Sequence, residues 1–277
     1  MISKENIHVF EEKHRILLQA DEFICLLPHP NLREYIANYN ITFPTKDLMP
    51  DGFTVMPCGC SSLSIEKDNK SLFVYLHGPV TKPYILGSQA NQLEMLVTIE
   101  FKPAGLYALT GINQNELIDK TFPFETVSPA LGKLMFEAVE KSRNIYEMVT
   151  NLDNLLLVSM YTTYHPQLKQ VLQNINDYIG NIPVKKLSDD IHYSERQLNR
   201  IFNQHVGVSA KSFSRLVRIN NTFSLLKKPN NSLALISDVA GFHDLSHVIH
   251  DFKLVCGITP QEYRNNMSDF YNNPTKF

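Results

Sequence analysis

Residues 187–202, LSDDIHYSERQLNRIF, and residues 236–252, ISDVAGFHDLSHVIHDF, are two copies of one pattern. In both copies eight positions separate a side chain suited to begin a helix, Ser194 or Asp244, from a phenylalanine. A glycine follows five positions later in each copy, and the second copy carries one extra residue, His243. A repeat at fixed spacing predicts one supersecondary unit that occurs twice.

Each copy has the properties of two short helices joined by a tight turn. The side-chain oxygens of Ser194 and Asp244 are suited to cap the free N–H groups of a helix, and Gln197 completes a capping box with Ser194. Apolar residues four and eight positions after each cap predict a buried face. The pattern therefore predicts a helix-turn-helix unit, present twice.

The opposite face of each second helix carries side chains rich in hydrogen-bond donors. Such side chains bind base edges in a major groove, although a polar helix face is more often simply solvated. The candidate base-contacting residues are Arg196, Asn199 and Arg200 in the first unit and Ser246, His247 and His250 in the second.

The distribution of charge supports a nucleic-acid partner for this part of the chain. The 277 residues have a formal net charge of −2, which excludes a uniformly basic coat. Residues 178–264, however, hold 11 Lys and Arg against 7 Asp and Glu, whereas residues 1–177 hold 14 against 20. Such asymmetry is typical of a chain of which one part meets a polyanion.

Residues 193–202, together with residues 240–253 and 257–264, resemble the AraC/XylS family of bacterial transcription regulators, with the match extending over about residues 166–264. The resemblance implies two helix-turn-helix units joined by a long helix, here about residues 210–226, which holds them about one DNA turn apart so that one subunit reads two successive major grooves. It also implies activation of transcription and contact with RNA polymerase. Two departures are His192, where the family usually has a turn glycine, and His250, where it often has arginine. Phosphate contacts are expected from Lys185, Lys186, Ser194, Lys211, Arg215 and Lys253.

The N-terminal part predicts a β-rich sandwich or small barrel with flanking helices, which makes the chain α+β. Turn residues separate short runs that favour strands. Residues 93–101 are apolar on both faces and predict a central strand, and residues 62–66 and 72–76 predict a hairpin. The predicted strands are residues 23–27, 35–43, 53–56, 62–66, 72–76 and 93–101. Helices are predicted for residues 104–110, from residue 129 onward, and for residues 145–160. The predicted domains are residues 1–160 and residues 166–266.

The N-terminal part also resembles the β-rich sensor domain of some AraC-type regulators, which implies effector binding, dimerisation or both. His77 and Tyr84 are candidates to line an effector pocket, although a satisfied surface histidine and a core tyrosine are the commoner outcomes. The His-x-His cluster of a metal-binding cupin enzyme is absent from the sequence. We therefore predict no metal site and no cofactor.

Four cysteines in a chain of this length predict no disulfide framework. Cys58-Gly59-Cys60 is interpreted as a tight turn, with a thiol switch or half of a metal site as the alternative. No signal peptide or membrane span is evident, so we expect a cytoplasmic protein. Two other functions stay open: an enzyme that uses Cys58 or Cys60 as nucleophile, which we disfavour, and a regulator whose basic region no longer binds DNA.

Overall fold

The computed structural model describes residues 2–267 and the backbone of residues 270–271. Strands lie almost entirely in the N-terminal region, residues 2–160, and the C-terminal region, residues 166–267, is helical. The predicted α+β class is confirmed. The strands are β1 Ile16–Gln19, β2 Phe23–Leu26, β3 Ile36–Thr42, β4 Thr54–Val55, β5 Ser62–Lys67, β6 Leu72–His77, β7 Tyr84–Ile85, β8 Met95–Phe101, β9 Thr121–Pro123 and β10 Phe270–Tyr271.

Seven of these strands form one antiparallel sheet in the order β1-β2-β3-β8-β5-β6-β9. Strand β8 is central and almost wholly buried, and β5 and β6 form the predicted hairpin. The edge strands β1 and β9 do not pair with each other in the described part of the chain, so this sheet is open rather than a closed barrel. A second sheet has the order β10-β4-β7, in which β10 returns from beyond the helical region to pair in parallel with β4.

Helices α3 to α5 cover one face of the large sheet. Leu131, Met135 and Val139 of α4 and Met148 and Leu152 of α5 are buried in one core with the sheet. Leu134 of the same helix, three residues after Leu131, is 49% exposed. The helices are α1 Gly87–Ala90, α2 Gly105–Thr110, α3 Phe124–Val127, α4 Pro129–Glu140, α5 Ile145–Ser159, α6 Pro166–Asp177, α7 Val184–Asp190, α8 Glu195–His205, α9 Ala210–Leu226, α10 Leu233–Val239, α11 Leu245–Cys256 and α12 Pro260–Asn265.

The helical region has two cores, one for each copy of the repeat, on either side of α9. The first unit buries Leu198 and Phe202 against α6 and α9, and the second buries Val248 and Phe252 against α9 and α12. Their apolar character alone would favour packing of Leu235 and Val239 with Val248 and Phe252, but they are 45% and 51% exposed. Ile236 and Ala240, one position further along α10, are buried in their place.

The N-terminal region packs directly against both units. Gly207 lies so close to Pro79 that a Cβ atom at this glycine would be 2.7 Å from the Pro79 Cγ. Asn220 of α9 donates from Nδ2 to the Pro57 carbonyl at 2.9 Å, and Met56 is buried in the core of the second unit. No helix in the described residues has both the length and the apolar character needed to cross a membrane.

Candidate nucleic-acid interface

The turns of the two units have the same pattern of backbone hydrogen bonds. His192 N donates to Asp189 O at 3.1 Å, and Gly241 N donates to Asp238 O at 3.0 Å. Both residues have positive φ, 58° for His192 and 70° for Gly241. The expectation that His192 occupies a conformation suited to glycine is therefore confirmed. The repeat in the sequence is a repeat of backbone geometry.

Caps fix the start of both second helices, α8 and α11. The Ser194 Oγ accepts from Gln197 N at 3.2 Å, while Gln197 Oε1 accepts from Ser194 N at 2.9 Å. In the second unit Asp244 Oδ1 accepts from His247 N at 2.8 Å. This hydrogen bond and the neighbouring His243 side chain lower the pKa of Asp244. Both predicted caps are present, so the first turn of each helix starts at a defined residue.

The first half of α8 presents two free guanidinium groups. Arg196 and Arg200 are exposed, and among the described residues neither side chain has a hydrogen bond or an ion pair. Asn199 differs, because its Oδ1 accepts from Ala210 N at 3.1 Å and so caps the start of α9. In this structure Asn199 fixes the angle between α8 and α9 and keeps only its amide donor for another partner.

A buried carboxylate of α11 lies close to three of the predicted contact residues. The Asp251 side chain is 5% exposed and lies 3.4 Å from His247 Nε2, His250 Nδ1 and Arg215 Nε. Arg215, expected at a phosphate, is therefore paired within the protein and ties α9 to α11. His250 is 73% exposed and His247 38%, so His250 is the more accessible of the two rings.

When the two units are aligned at their caps, the residue equivalent to Asn199 is not one of the predicted contact residues of the second unit. Counting from Ser194 and Asp244, Arg196 corresponds to Ser246, Asn199 to Ile249 and Arg200 to His250. Ile249 is 36% exposed. The sequence reading selected only polar side chains and missed it, although its spacing from the cap was visible.

The predicted phosphate contacts fall into two groups. The side chains of four lysines are solvent-exposed: Lys185, Lys186, Lys211 and Lys253. Ser194 is also exposed, but its hydroxyl belongs to the capping box. Four of the six residues are therefore available to an external anion, whereas Ser194 and Arg215 already have partners.

A family model described as a helix-turn-helix domain matches residues 187–266, and one described as a domain of unknown function (DUF6597) matches residues 25–123. The uncharacterized HTH-type transcriptional regulator YisR of Bacillus subtilis is 31% identical over 91 residues, which are 33% of this chain and 32% of YisR. The Msm operon regulatory protein of Streptococcus mutans is 26% identical over 106 residues, 38% of this chain and 37% of that protein. The chain thus spans about a third of the length of these relatives.

The match at residues 187–266 and the similarity to HTH-type transcriptional regulators agree with the resemblance of the C-terminal region to AraC/XylS-type regulators. Both relatives are described as regulators, in agreement with the expectation that this chain is not an enzyme. Among solved structures, ToxT from Vibrio cholerae in its 1.65 Å form covers 83% of this chain and 93% of ToxT, at 13% identity and a TM-score of 0.40.

The N-terminal region contains a polar sheet face. Cross-strand pairing aligns Asn38, Glu100, Ser62 and His77 in one row over four strands, and Asn40, Thr98 and Ser64 lie in the next. We call these seven residues the polar face; the alternate positions of the same strands point into the apolar core. Glu100 is 3% exposed and Asn38 is fully buried.

The two candidate effector residues lie in different sheets. His77 belongs to the polar face, where its Nε2 is 2.8 Å from Ser64 Oγ and its Nδ1 is 3.0 Å from Thr121 Oγ1. Tyr84 lies in β7 of the small sheet and is 37% exposed, so it is not a core tyrosine. The sequence therefore located one residue of a larger polar surface.

All four cysteines are buried, and none of them forms a disulfide bond. Cys58 and Cys60 point their thiols at each other's carbonyl oxygens, at 3.8 and 3.6 Å, around the tight turn expected from the sequence. Their exposures of 4% and 2% give a substrate no access to a nucleophile. In the described residues no group of three His, Cys, Asp or Glu side chains is suited to hold a metal ion.

Proposed function

We propose that this protein is a sequence-specific transcription regulator that binds double-stranded DNA through α8 and α11. The observation that carries the proposal is the duplication of one turn-and-cap geometry. On α8, Arg196 and Arg200 are exposed and have no partner among the described residues. Guanidinium groups in this setting are suited to bind guanine O6 and N7 in a major groove. The named relatives are regulators, which supports the same function.

In this proposal one subunit reads two successive major grooves. Helix α9 connects the units, and the contacts of Asn199 with Ala210 and of Arg215 with Asp251 fix both of them to it. Arg196, Arg200, Ser246 and His250 contact bases, with smaller contributions from Asn199 and His247, whose side chains have internal partners. Lys185, Lys186, Lys211 and Lys253 contact phosphates.

The finer proposal concerns control. A small-molecule effector binds in the N-terminal region at the polar face, where buried carboxylate, amide and hydroxyl groups and the half-buried imidazole of His77 are suited to a polar ligand. Because the N-terminal region packs on both units, a change there is transmitted to the spacing of the recognition helices. The protein acts in the cytoplasm as a homodimeric activator that contacts RNA polymerase.

Selection of bound fragments from a random DNA pool tests the proposal with the full chain. We expect one enriched motif with two half-sites about one helical turn apart. Affinity for the selected fragment should fall steeply between low and physiological salt, because phosphate contacts release counterions. The Arg196→Ala, Arg200→Ala double variant should lose the enrichment, whereas Lys133→Ala, which removes an exposed charge from α4, should keep it. Failure to enrich any motif would favour the alternative that the basic region acts through protein contacts.

A further inference from the structure

A cavity of about 400 Å³ lies at the junction of the N-terminal region and α6, the first helix of the C-terminal region. Glu34 and Lys102 line it from the N-terminal side, and Lys169, Asn176 and Asp177 line it from α6. Its volume lies within the usual range for small-molecule sites. It shares no residue with the polar face and none with the recognition helices.

Lys102 supplies an ammonium group that forms no ion pair among the described residues. Its side chain is partly buried, and no acceptor among the described residues lies within hydrogen-bonding distance of its ammonium group. Burial lowers the pKa of Lys102, an effect that nearby Glu34 partly opposes. A partly desolvated ammonium without a partner is stabilised by an incoming carboxylate.

The α6 side of the cavity carries acceptor oxygens, which favour a positively charged group of a ligand. The Oδ1 atom of Asn176 is buried and has no hydrogen-bond partner among the described residues, and the neighbouring Asp177 carboxylate has none either. Lys169 adds no free charge, because its Nζ is 2.6 Å from Glu34 Oε1 in an ion pair that joins the two regions. The cavity therefore presents one unpaired cation and a pair of unpaired acceptors.

We propose that this cavity binds a small zwitterion of the α-amino acid class. Lys102 receives the carboxylate, and Asn176 Oδ1 and Asp177 receive the ammonium group. A simple carboxylate would leave the acceptors unpaired and face Asp177, and a simple amine would face Lys102. The ligand thus bridges the N-terminal region and α6. This site is additional to the proposed function, and its existence does not depend on DNA binding.

Ligand binding to the full chain without DNA tests the inference. Each of the twenty common amino acids is added separately, with acetate and methylammonium as single-charge probes, and the midpoint of thermal unfolding is recorded. At least one amino acid should raise the midpoint by about 2–4 °C at several times its dissociation constant, and neither single-charge probe should do so. Calorimetric titration then gives the affinity of that amino acid.

Variants locate the site. Lys102→Met and Asp177→Asn should each weaken the amino acid by tenfold or more, whereas Lys133→Met on α4 should leave its affinity unchanged. Asp177 is exposed, so this variant keeps the test valid if Lys102→Met unfolds. The inference is overturned if no amino acid binds, if acetate binds as well as the amino acid, or if a folded Lys102 or Asp177 variant retains full affinity. DNA selection is measured separately, so loss of one result leaves the other standing.

Discussion

The imidazole of His205, at the end of the first recognition helix, lies against the phenol of Tyr107 in α2, with ring centroids 3.9 Å apart. The neighbouring Gln204 donates from Nε2 to the Tyr107 hydroxyl at 3.1 Å. His205 Nδ1 is buried without a hydrogen-bond partner among the described residues. One end of the recognition helix is thus held by the N-terminal region, while Arg196 and Arg200 at its other end remain exposed.

This contact should make the protein sensitive to acid. Burial, with a smaller contribution from His165, lowers the pKa of His205 to about 4. An unfolded histidine binds its proton near pH 6.5, so the unfolded chain holds more protons between these values. The contribution of neutral His205 to the free energy of unfolding is therefore fully present above about pH 6.5. It is lost as the pH falls towards 4, by at most about 3 kcal/mol. Urea unfolding at a series of pH values measures this loss.

A matched pair of variants isolates the histidine responsible. His205→Phe keeps an apolar ring against Tyr107 and should flatten the pH profile between 4 and 6.5. His243→Gln, which removes a ring that is 89% exposed, should leave the profile unchanged. A profile that remains steep in His205→Phe would assign the acid sensitivity to another group.

The turn of the first unit should be improved by glycine. His192 has a φ of 58°, a conformation that costs a residue with a side chain about 1 kcal/mol relative to glycine. His192→Gly should therefore raise the free energy of unfolding by about 1 kcal/mol. Gly241→Ala should lower it, because the added Cβ would clash with the Asn181 side-chain amide and Gly241 has a φ of 70°. Denaturant unfolding compares both, and a destabilised His192→Gly protein would contradict the strain argument.

Arg200 should read bases rather than the backbone. A bidentate contact with guanine discriminates by about 1–3 kcal/mol, whereas a phosphate contact weakens all sequences alike. Arg200→Ala should relax the preference at one or two adjacent base pairs without unfolding the protein, since the side chain is exposed. His250→Ala should have a smaller effect, because His250 already lies beside Asp251. A panel of single-base operator variants measures both, and uniform weakening would reassign Arg200 to a phosphate.

Ile249 should contact a thymine methyl group. It occupies the position of Asn199 in the second unit, and a partly exposed aliphatic side chain suits that apolar group. Replacing one thymine of the operator by uracil should cost the unaltered protein about 0.8 kcal/mol. Ile249→Ala should lose a similar amount and then be insensitive to the uracil. Leu254→Ala, which truncates another exposed side chain of α11, is the control and should behave like the unaltered protein.

Local signals in the sequence were sufficient for much of the helical region. The caps at Ser194 and Asp244 agree with the structure, because capping acts over a few residues. The bounds of α9 at residues 210 and 226, which the family resemblance implied, agree as well. Strand β8 was found for a similar reason, as an apolar run buried on both faces. Because the pattern occurs twice, the second copy supported the helix-turn-helix prediction made from the first.

Features that depend on distant partners were missed. Strands β7 and β9 span two and three residues and exist only through pairing with β4 and β6. Arg215 has the composition of a phosphate contact, yet its partner Asp251 lies 36 positions away. Leu235 and Val239 satisfied an apolar pattern, but the packing of α10 on α9 selected the adjacent positions. In each case a contact between separate elements decided the outcome.

The close approach of Gly207 to Pro79 and to the Gln114 carbonyl limits how this protein can be recombined. Its φ of 96° and the lack of space for a Cβ atom make the junction specific to a matched pair of surfaces. A chimaera that joins this C-terminal region to the N-terminal region of a relative would need a comparably flat surface opposite residue 207. Exchange of halves between family members, by engineers or by gene fusion, is therefore restricted by the fit at one glycine as well as by the choice of linker.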